Sequence, residues 1–283
     1  MIYLSLGAGV QSSALYVMTT LGLHGCPRAD VAIFADTGRE PAYVYQYLDR
    51  LRTWGYDDRL KHGRRGGPEI QVVTAGDLAA DYLAGFRNGG KRKGASAIPA
   101  YATQPDGRAR MLMRHCTTDY KIVPIERRVR ELLGLKKGQH SAGRMATALI
   151  GISLDEAARM KVSQTRYVTN TYPLVDARLK RRDCLEIVRA AGLPEPEKSA
   201  CVFCPYHDDS YWLRLKQGHP EDFERAAQFD DAIRSQKHTG VDGEVFLHRS
   251  LQPLRSIDFA ERRRLPLFES DQFQNECEGV CGV

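Results

Sequence analysis

Ser5 to Leu15, SLGAGVQSSAL, directly follows the apolar run Ile2-Tyr3-Leu4 and decides how the rest of the chain is read. An apolar strand, Ile2 to Leu6, runs into Gly7, Ala8 and Gly9, and a helix, Gln11 to Leu21, then begins with a pair of serines. A strand, a glycine-rich turn and a helix start present successive backbone N–H groups and the positive end of a helix dipole to an anion. Gly7, Ala8 and Gly9 leave room for close approach, and Ser12 and Ser13 bring hydroxyl donors. No lysine follows, which argues against a Walker loop, and the glycine spacing does not give GxGxxG. A tight structural turn would use the same residues, so the turn by itself leaves both readings open.

Outward from this turn the period alternates. Val31 to Ala35 reads as strand, Pro41 to Trp54 as helix and Ile70 to Val73 as strand. Strands separated by helices predict right-handed crossovers and a mainly parallel, Rossmann-like α/β sheet of five or six strands flanked by helices. Phe86 to Arg114 is rich in Gly, Pro and basic residues and reads as a long mobile loop, the kind that carries function or stays disordered. A helix is expected near Ile122 to Leu133, a strand at Ala146 to Ile152, an extended stretch at Tyr167 to Val175 and a helix near Arg182 to Ala191. Tyr206 to Ser235 looks helical. The expected division is a nucleotide-binding domain over residues 1–200 and a cysteine-bearing helical extension over 201–283, packed on it.

The 283 residues, 42% of them hydrophobic, suffice for a sizeable core. No window approaches the roughly eighteen apolar residues needed to cross a bilayer, and the N-terminus begins a strand instead of a signal segment, so a cytoplasmic protein without a membrane partner is expected. Seven cysteines outside a secretory context read as thiols, metal ligands or redox groups. A formal charge of +6 suits an anionic partner, a nucleotide or a nucleic acid.

Several residues carry candidate chemistry. Asp36 ends a buried strand, where open α/β sheets place ligands, and its oxygens suit a ribose or Mg2+; capping the turn with Thr37 and Gly38 is the structural alternative. Glu40, before Pro41, complements the dipole of the following helix and is left out of the site. Asp155, Glu156 and Arg159 follow a strand at helical spacing. Glu156 and Arg159 suit an i,i+3 surface pair, whereas Arg159 also suits bidentate binding of phosphate or sulfate. Lys121 is either a solvated helix residue or a further anion contact. Lys91, Arg92, Lys93, Arg108, Arg110 and Arg114 cluster on or beside the basic loop, either as a solvated charge run or as a lid that tracks phosphates.

Cys201 and Cys204 form a CxxC stopped by Pro205, and Cys116 is a distant third thiol. Zinc held by these cysteines and one histidine or tail cysteine is one arrangement. Cys26 and Cys184 read as core hydrophobes. Cys277 and Cys281 sit in the glycine-flanked tail ECEGVCGV, where a thiol can swing into a pocket and nearby cations would raise its thiolate fraction.

These motifs together resemble the PAPS reductase-like, or CysH-like, family of the adenine nucleotide α-hydrolase and ATP pyrophosphatase superfamily. SLGAGVQSSAL resembles a divergent SGGxDS loop, with Gly7 for the first serine, Ala8 for the first glycine, Val10 for the variable residue and Gln11 for the aspartate. FADTGREP (Phe34 to Pro41) resembles the DTG segment, and GISLDEAARMK (Gly151 to Lys161) the segment whose arginine grips a phosphate or sulfate. RHCTTDYKIVPI (Arg114 to Ile125) and CVFCPYH (Cys201 to His207) resemble the cysteine segments of iron-sulfur members, with His115 in place of one cysteine.

The resemblance implies a Rossmann-like fold of the HUP type. It implies an adenine nucleotide, ATP or PAPS/APS, held by Ser5, Gly7, Ala8, Gly9, Gln11, Ser12, Ser13, Asp36, Thr37, Gly38, Gly151, Ser153, Asp155 and Glu156. Arg159, Lys121, Cys277 and Cys281 would act on it. It also implies a 4Fe-4S cluster on Cys116, Cys201 and Cys204, either with an open iron or with a fourth ligand from His115, Cys184 or the tail; a chain with no cluster is the remaining alternative. The implied activity is activation of an acceptor by adenylation for sulfur transfer, with a nucleic acid or a thiol or sulfur donor protein as partner. One alternative is a sulfonucleotide reductase in which Cys277 attacks the sulfonate. Another is a non-catalytic binding protein like CysH-like relatives found beside phage and type IV CRISPR genes.

Overall fold

The computed structural model describes residues 1–62, 66–87, 92–93, 98–104, 106–136, 138–234 and 243–262. Its centre is the strand that begins the chain. β1, Ile2–Leu6, is buried from Tyr3 onward because it is paired on both sides, and alternate residues serve opposite faces. Leu4 and Leu6 enter one core and Tyr3 the other. α1, Val10–Leu21, follows, then β2, Val31–Asp36, α2, Ala42–His62, and β3, Glu69–Thr74. After α3, Leu78–Leu83, and a two-residue antiparallel pairing of Phe86–Arg87 with Arg92–Lys93, come the short strands β4, Tyr101–Thr103, and β5, Ala109–Met111. α4, Val123–Leu132, leads to β6, Ala146–Leu149, and β7, Val168–Thr171. α5, Arg181–Ala190, α6, Asp209–Gly218, α7, Pro220–Arg234, β8, Val245–Phe246, and the short α8, Phe259–Arg262, complete the described chain.

The main sheet has five strands, all parallel, in the order β3-β2-β1-β6-β7. This is the Rossmann-like α/β sheet flanked by helices that the alternation predicts. α1, α2 and α5 cover one face through Leu15, Met18, Leu48, Cys184 and Val188, and α4 covers the other with Ile125 and Val129. The chain leaves β1 first toward β2 and returns on its other side at β6, so the crevice between the carboxyl ends of β1 and β6 is the topological switch point, where open sheets of this kind receive ligands.

A second core gathers Tyr82, Ile98, Ala102 and Tyr120 with Phe203, Trp212, Phe223, Phe229 and Phe259, so residues on both sides of position 200 share it. Here the structure departs from the sequence reading. Within the stretch expected to be a mobile loop, β4 and β5 pair antiparallel and β8 pairs with β4, while Ile98, Ala100 and Ala102 are buried. Three-residue strands whose partner lies more than a hundred residues away leave no local period to read. The helical pattern of Tyr206 to Ser235 divides into α6 and α7 at Pro220, which suits a helix start and not an interior. Tyr167 to Val175, expected to be extended throughout, leaves β7 at Thr171 and turns into a short helix, Pro173–Asp176.

Buried carboxylates tie the last segment down. Asp230, 0% exposed, accepts from the backbone amides of Leu247 (2.8 Å) and Leu254 (3.0 Å) and from Arg234 (2.6 Å). Asp209 in α6 accepts from His248 Nε2 at 2.7 Å and from Arg249 at 3.2 Å, and Arg262 lies 3.4 Å away. The Ser250 amide donates to Nδ1 of His248 at 3.1 Å, which leaves the proton on Nε2, facing Asp209. Burial alone would raise the Asp209 carboxyl, but the His248 bond and the two arginines outweigh it and hold it at about 2. Burial lowers His248, against the pull of Asp209.

Both groups therefore bind fewer protons folded than unfolded in acid, and stability falls as pH falls, first below 6.5 through His248 and then from 3.8 toward 2 through Asp209. Urea titrations from pH 7 to 2 should show this decline, with Asp209 contributing about 2 kcal/mol, and Asp209→Asn should abolish the lower part of it.

Candidate nucleotide and cysteine site

The glycine turn after β1 lies at the switch point. Ala8 adopts φ 57, a left-handed conformation that L-residues visit at a cost, and this turns the chain sharply into α1. No side chain caps α1. Gly151, just past β6, faces the same helix start: a Cβ there would lie 3.0 Å from the Ser12 nitrogen and 3.3 Å from the Gln11 carbonyl carbon. The missing side chain is what lets the two loops touch. Ser5, Gly7, Ala8, Gly9 and Gln11 are all buried.

Around Gln11 the structure assembles a polar network. Its Nε2 donates to Glu156 at 3.2 Å and toward Ser153 Oγ at 3.5 Å, and its Oε1 accepts from Arg181 at 2.9 Å. Glu156, with 5% side-chain exposure, pairs with Arg159 at 2.9 Å. The i,i+3 pair expected from spacing thus forms, but inside the crevice and not on the surface. Arg181 thus reaches the first turn of α1 directly and Arg159 through Glu156. Asp155 is exposed and accepts from the Arg181 amide at 3.1 Å, so it caps α5. Ser12 donates its hydroxyl to the Gly9 carbonyl at 3.2 Å, and Ser13 is buried at the Tyr47 side of α1, not on the turn.

One strand over, the end of β2 carries the second group. Asp36 Oδ1 accepts from the Gly38 amide at 2.7 Å and from the Tyr45 hydroxyl at 2.8 Å, with Gly38 at φ 74. This is the turn-capping role, and it engages one of the two carboxylate oxygens. Thr37 Oγ1 lies 3.1 Å from Cys201 Sγ, and the Val202 amide donates to the Arg39 carbonyl at 2.8 Å, so the CxxC loop is laid directly on this turn. Glu40 is 1% exposed, with Oε1 3.5 Å from Lys121 Nζ and 3.8 Å from Cys201 Sγ. It packs against the cysteine loop as well as standing before α2, where a dipole complement alone was expected. A local sequence pattern does not show the burial of a carboxylate.

Burial pushes the Cys201 thiol well up, and the Glu40 charge adds to this, while Lys121 and the Thr37 bond pull it back and Cys116 adds a smaller upward push. The Cys201 carbonyl accepts from the Cys204 amide and from His207 Nε2, each at 2.9 Å. His207 stacks on Tyr211 with ring centroids 3.6 Å apart. Cys116 and Cys201 pack against the second core, whereas Cys184 lies in the first with Cys26, whose thiol burial raises to about 11. Among the described residues no group of three or more His, Cys, Asp and Glu is disposed to hold a metal ion. Cys277 and Cys281 lie outside the described residues, as does Lys91. Arg108 and Arg110 are exposed, and Arg114 bonds Thr117 and lies 5.4 Å over the ring of Tyr206.

Arg181, Glu40 and the His207–Tyr211 stack are the parts that sequence reasoning missed. Arg181 had one available signal, as a basic residue at a helix start that follows the last parallel strand. Taken together, fold and site define an α/β protein whose glycine turn and cysteine loop sit on neighbouring strand ends. The sequence matches no protein-family model and no curated protein. No helix among the described residues is long and apolar enough to cross a membrane.

Two substitutions test this geometry. Glu40→Gln should lower the Cys201 pKa and speed its alkylation by iodoacetamide several-fold at pH 8, while Lys121→Met slows it, as read by mass spectrometry at Cys201. Gly151→Ala should force the Ser12 backbone away, costing about 1–3 kcal/mol of stability in denaturant titrations.

Proposed function

We propose that the chain is an adenine-nucleotide enzyme of the PAPS reductase-like type that activates an acceptor by adenylation and prepares it for sulfur transfer. The observation that carries this reading is the network beside the glycine turn at the switch point, in which Arg181 bonds Gln11 and Arg159 reaches the same side chain through Glu156, with no lysine in the turn. Phosphate oxygens would take backbone N–H groups of the turn, and the two guanidinium groups would neutralise the charge that builds on a departing pyrophosphate. An arriving phosphate competes with the Glu156 carboxylate for Arg159, so binding redirects that side chain. Asp36, Thr37 and Gly38, at the end of β2 on the other side of β1, are the residues proposed for the nucleoside.

In the reaction an acceptor oxygen attacks the α-phosphorus, the bond to the bridging oxygen breaks and pyrophosphate leaves. The outer sulfur of a persulfide on a donor protein then attacks the activated carbon, the carbon–oxygen bond breaks and AMP leaves. A cysteine thiolate attacks the donor-side sulfur of the resulting disulfide, which frees the thiolated acceptor and leaves a disulfide between that cysteine and the donor; Cys277, Cys281 and, once deprotonated, Cys201 are the thiols proposed for that stage. The described residues do not form a ligand set for a metal, and no step is assigned to one. A nucleic acid is the proposed macromolecular partner, supported by the exposed Arg108 and Arg110 beside and on the edge strand β5.

Calorimetry with ATP and PAPS, followed by assays of pyrophosphate and sulfite, tests the reading. Nucleotide binding that weakens at least tenfold in Arg159→Ala and in Gly9→Val is expected, with pyrophosphate as product. Sulfite from PAPS would transfer the reading to a reductase acting through Cys277, and binding without either product to an accessory protein. No binding of either nucleotide would overturn it.

A further inference from the structure

A cavity of about 460 Å3 opens between the starts of α2, α5 and α6, lined by Tyr43, Arg181, Lys198, Tyr211, Arg214 and His219 among others. This volume falls in the range of small-molecule sites. Its aromatic wall is built. The Tyr43 hydroxyl bonds the Lys198 carbonyl at 3.0 Å and meets the Tyr211 hydroxyl at 2.9 Å, and the His219 ring lies 4.8 Å from the Tyr43 ring. The Lys198 ammonium and the Arg214 guanidinium each stand 5.9 Å from the centre of the Tyr211 ring, so two cations are gathered over one plate.

The carboxylates on the same wall have partners in the protein. Glu195 bonds Arg189 at 2.6 Å, Glu197 lies 3.4 Å from His219 Nε2, and Asp208 accepts from the Tyr211 amide at 2.5 Å. Lys198, Arg214 and Arg181 stand on the wall with them, so the lining carries both signs, and Lys198 and Arg214 concentrate positive charge at the Tyr211 ring. Arg181 also bonds Gln11, so one guanidinium belongs both to this cavity and to the network at the glycine turn.

We infer that this cavity is a second binding site, separate from the glycine turn, for a 5′-phosphorylated nucleoside. Its base would lie against the Tyr43 and His219 rings, and its phosphate would be held by Lys198 and Arg214. Stacking accepts any base, because every base presents a π-face, whereas the phosphate contacts demand a charge. The unit can come free or as the end of a nucleic acid. The inference stands apart from what the turn binds.

UMP and GMP serve as probes, since a site selective for adenine nucleotides should not take them. Calorimetry should find sub-millimolar binding of both, at least tenfold weaker binding of uridine, and a tenfold or greater loss of UMP affinity in Arg214→Glu. ATP affinity should change less than twofold in that variant. Arg214 is exposed, so the change spares the core, and Lys198→Ala should weaken UMP in parallel.

A 5′-phosphorylated trinucleotide that binds more tightly than UMP identifies the source as a nucleic-acid end, and one that binds more weakly identifies a free mononucleotide. In both cases the dependence on Arg214 must hold. UMP binding that survives Arg214→Glu unchanged, or no binding of UMP and GMP to the unaltered chain, overturns the inference. Failure of ATP to bind while UMP binds would instead count against the reading of the glycine turn.

Discussion

The contact between Gly151 and the first turn of α1 sets the geometry of the whole carboxyl edge. A Cβ at this position would lie 3.0 Å from the Ser12 nitrogen, tighter than ordinary packing, so the loop after β6 and the turn after β1 keep this close an approach with no side chain between them. Once they touch, Ser153 and Glu156 are brought to Gln11, and Glu156 carries Arg159 with it. Arg181 completes the arrangement from α5. A carboxylate with so little exposure is tolerable only when it is paired and hydrogen-bonded, and here an amide and a guanidinium share that duty. The neutral carboxamide of Gln11 can bridge the two opposite charges because it offers a donor to Glu156 and an acceptor to Arg181. A carboxylate in its place would repel Glu156.

The parallel sheet was legible because its inner strands are buried on both faces and read as short apolar runs, Ile2 to Leu6 and Val31 to Ala35, each followed by a turn and a helix. The glycine turn was legible for the same reason, since its position after the first strand fixes where it lies. Helix ends were less so, and α2 runs on to His62 where the pattern was followed only to Trp54. Long-range partners decide what local period cannot. β4 is a strand because Val245 and Phe246 lie beside it, and Glu40 has partners for its buried carboxylate because Lys121 and Cys201 arrive from distant parts of the chain. Ser13 shows the converse: its neighbours in sequence place it on the turn, but the helix rotates it inward to Tyr47.

The cysteine loop has its own logic. Thr37, Glu40, Lys121 and Cys201 come from two loops and one helical turn around the end of β2, where they form a mixed environment in which a thiol stays protonated. Burial is the largest push on it, and Glu40 and Lys121 act on top of that push in opposite directions. The backbone bond from Val202 to Arg39 fastens that loop to the β2 turn, which is itself braced by the Arg39–Asp77 pair at 2.7 Å. The sulfur is thereby placed next to the crevice by the sheet itself and not by a loose connection.

Tyr211 is shared property. His207 lies flat on its ring at 3.6 Å, and the same imidazole holds the Cys201 carbonyl, while the hydroxyl of that tyrosine reaches Tyr43 at the cavity wall. One unbroken run of contacts, from the Tyr43 hydroxyl through the phenol and the imidazole to the Cys201 peptide, thus makes the wall of the cavity and the bed of the thiol a single packed layer.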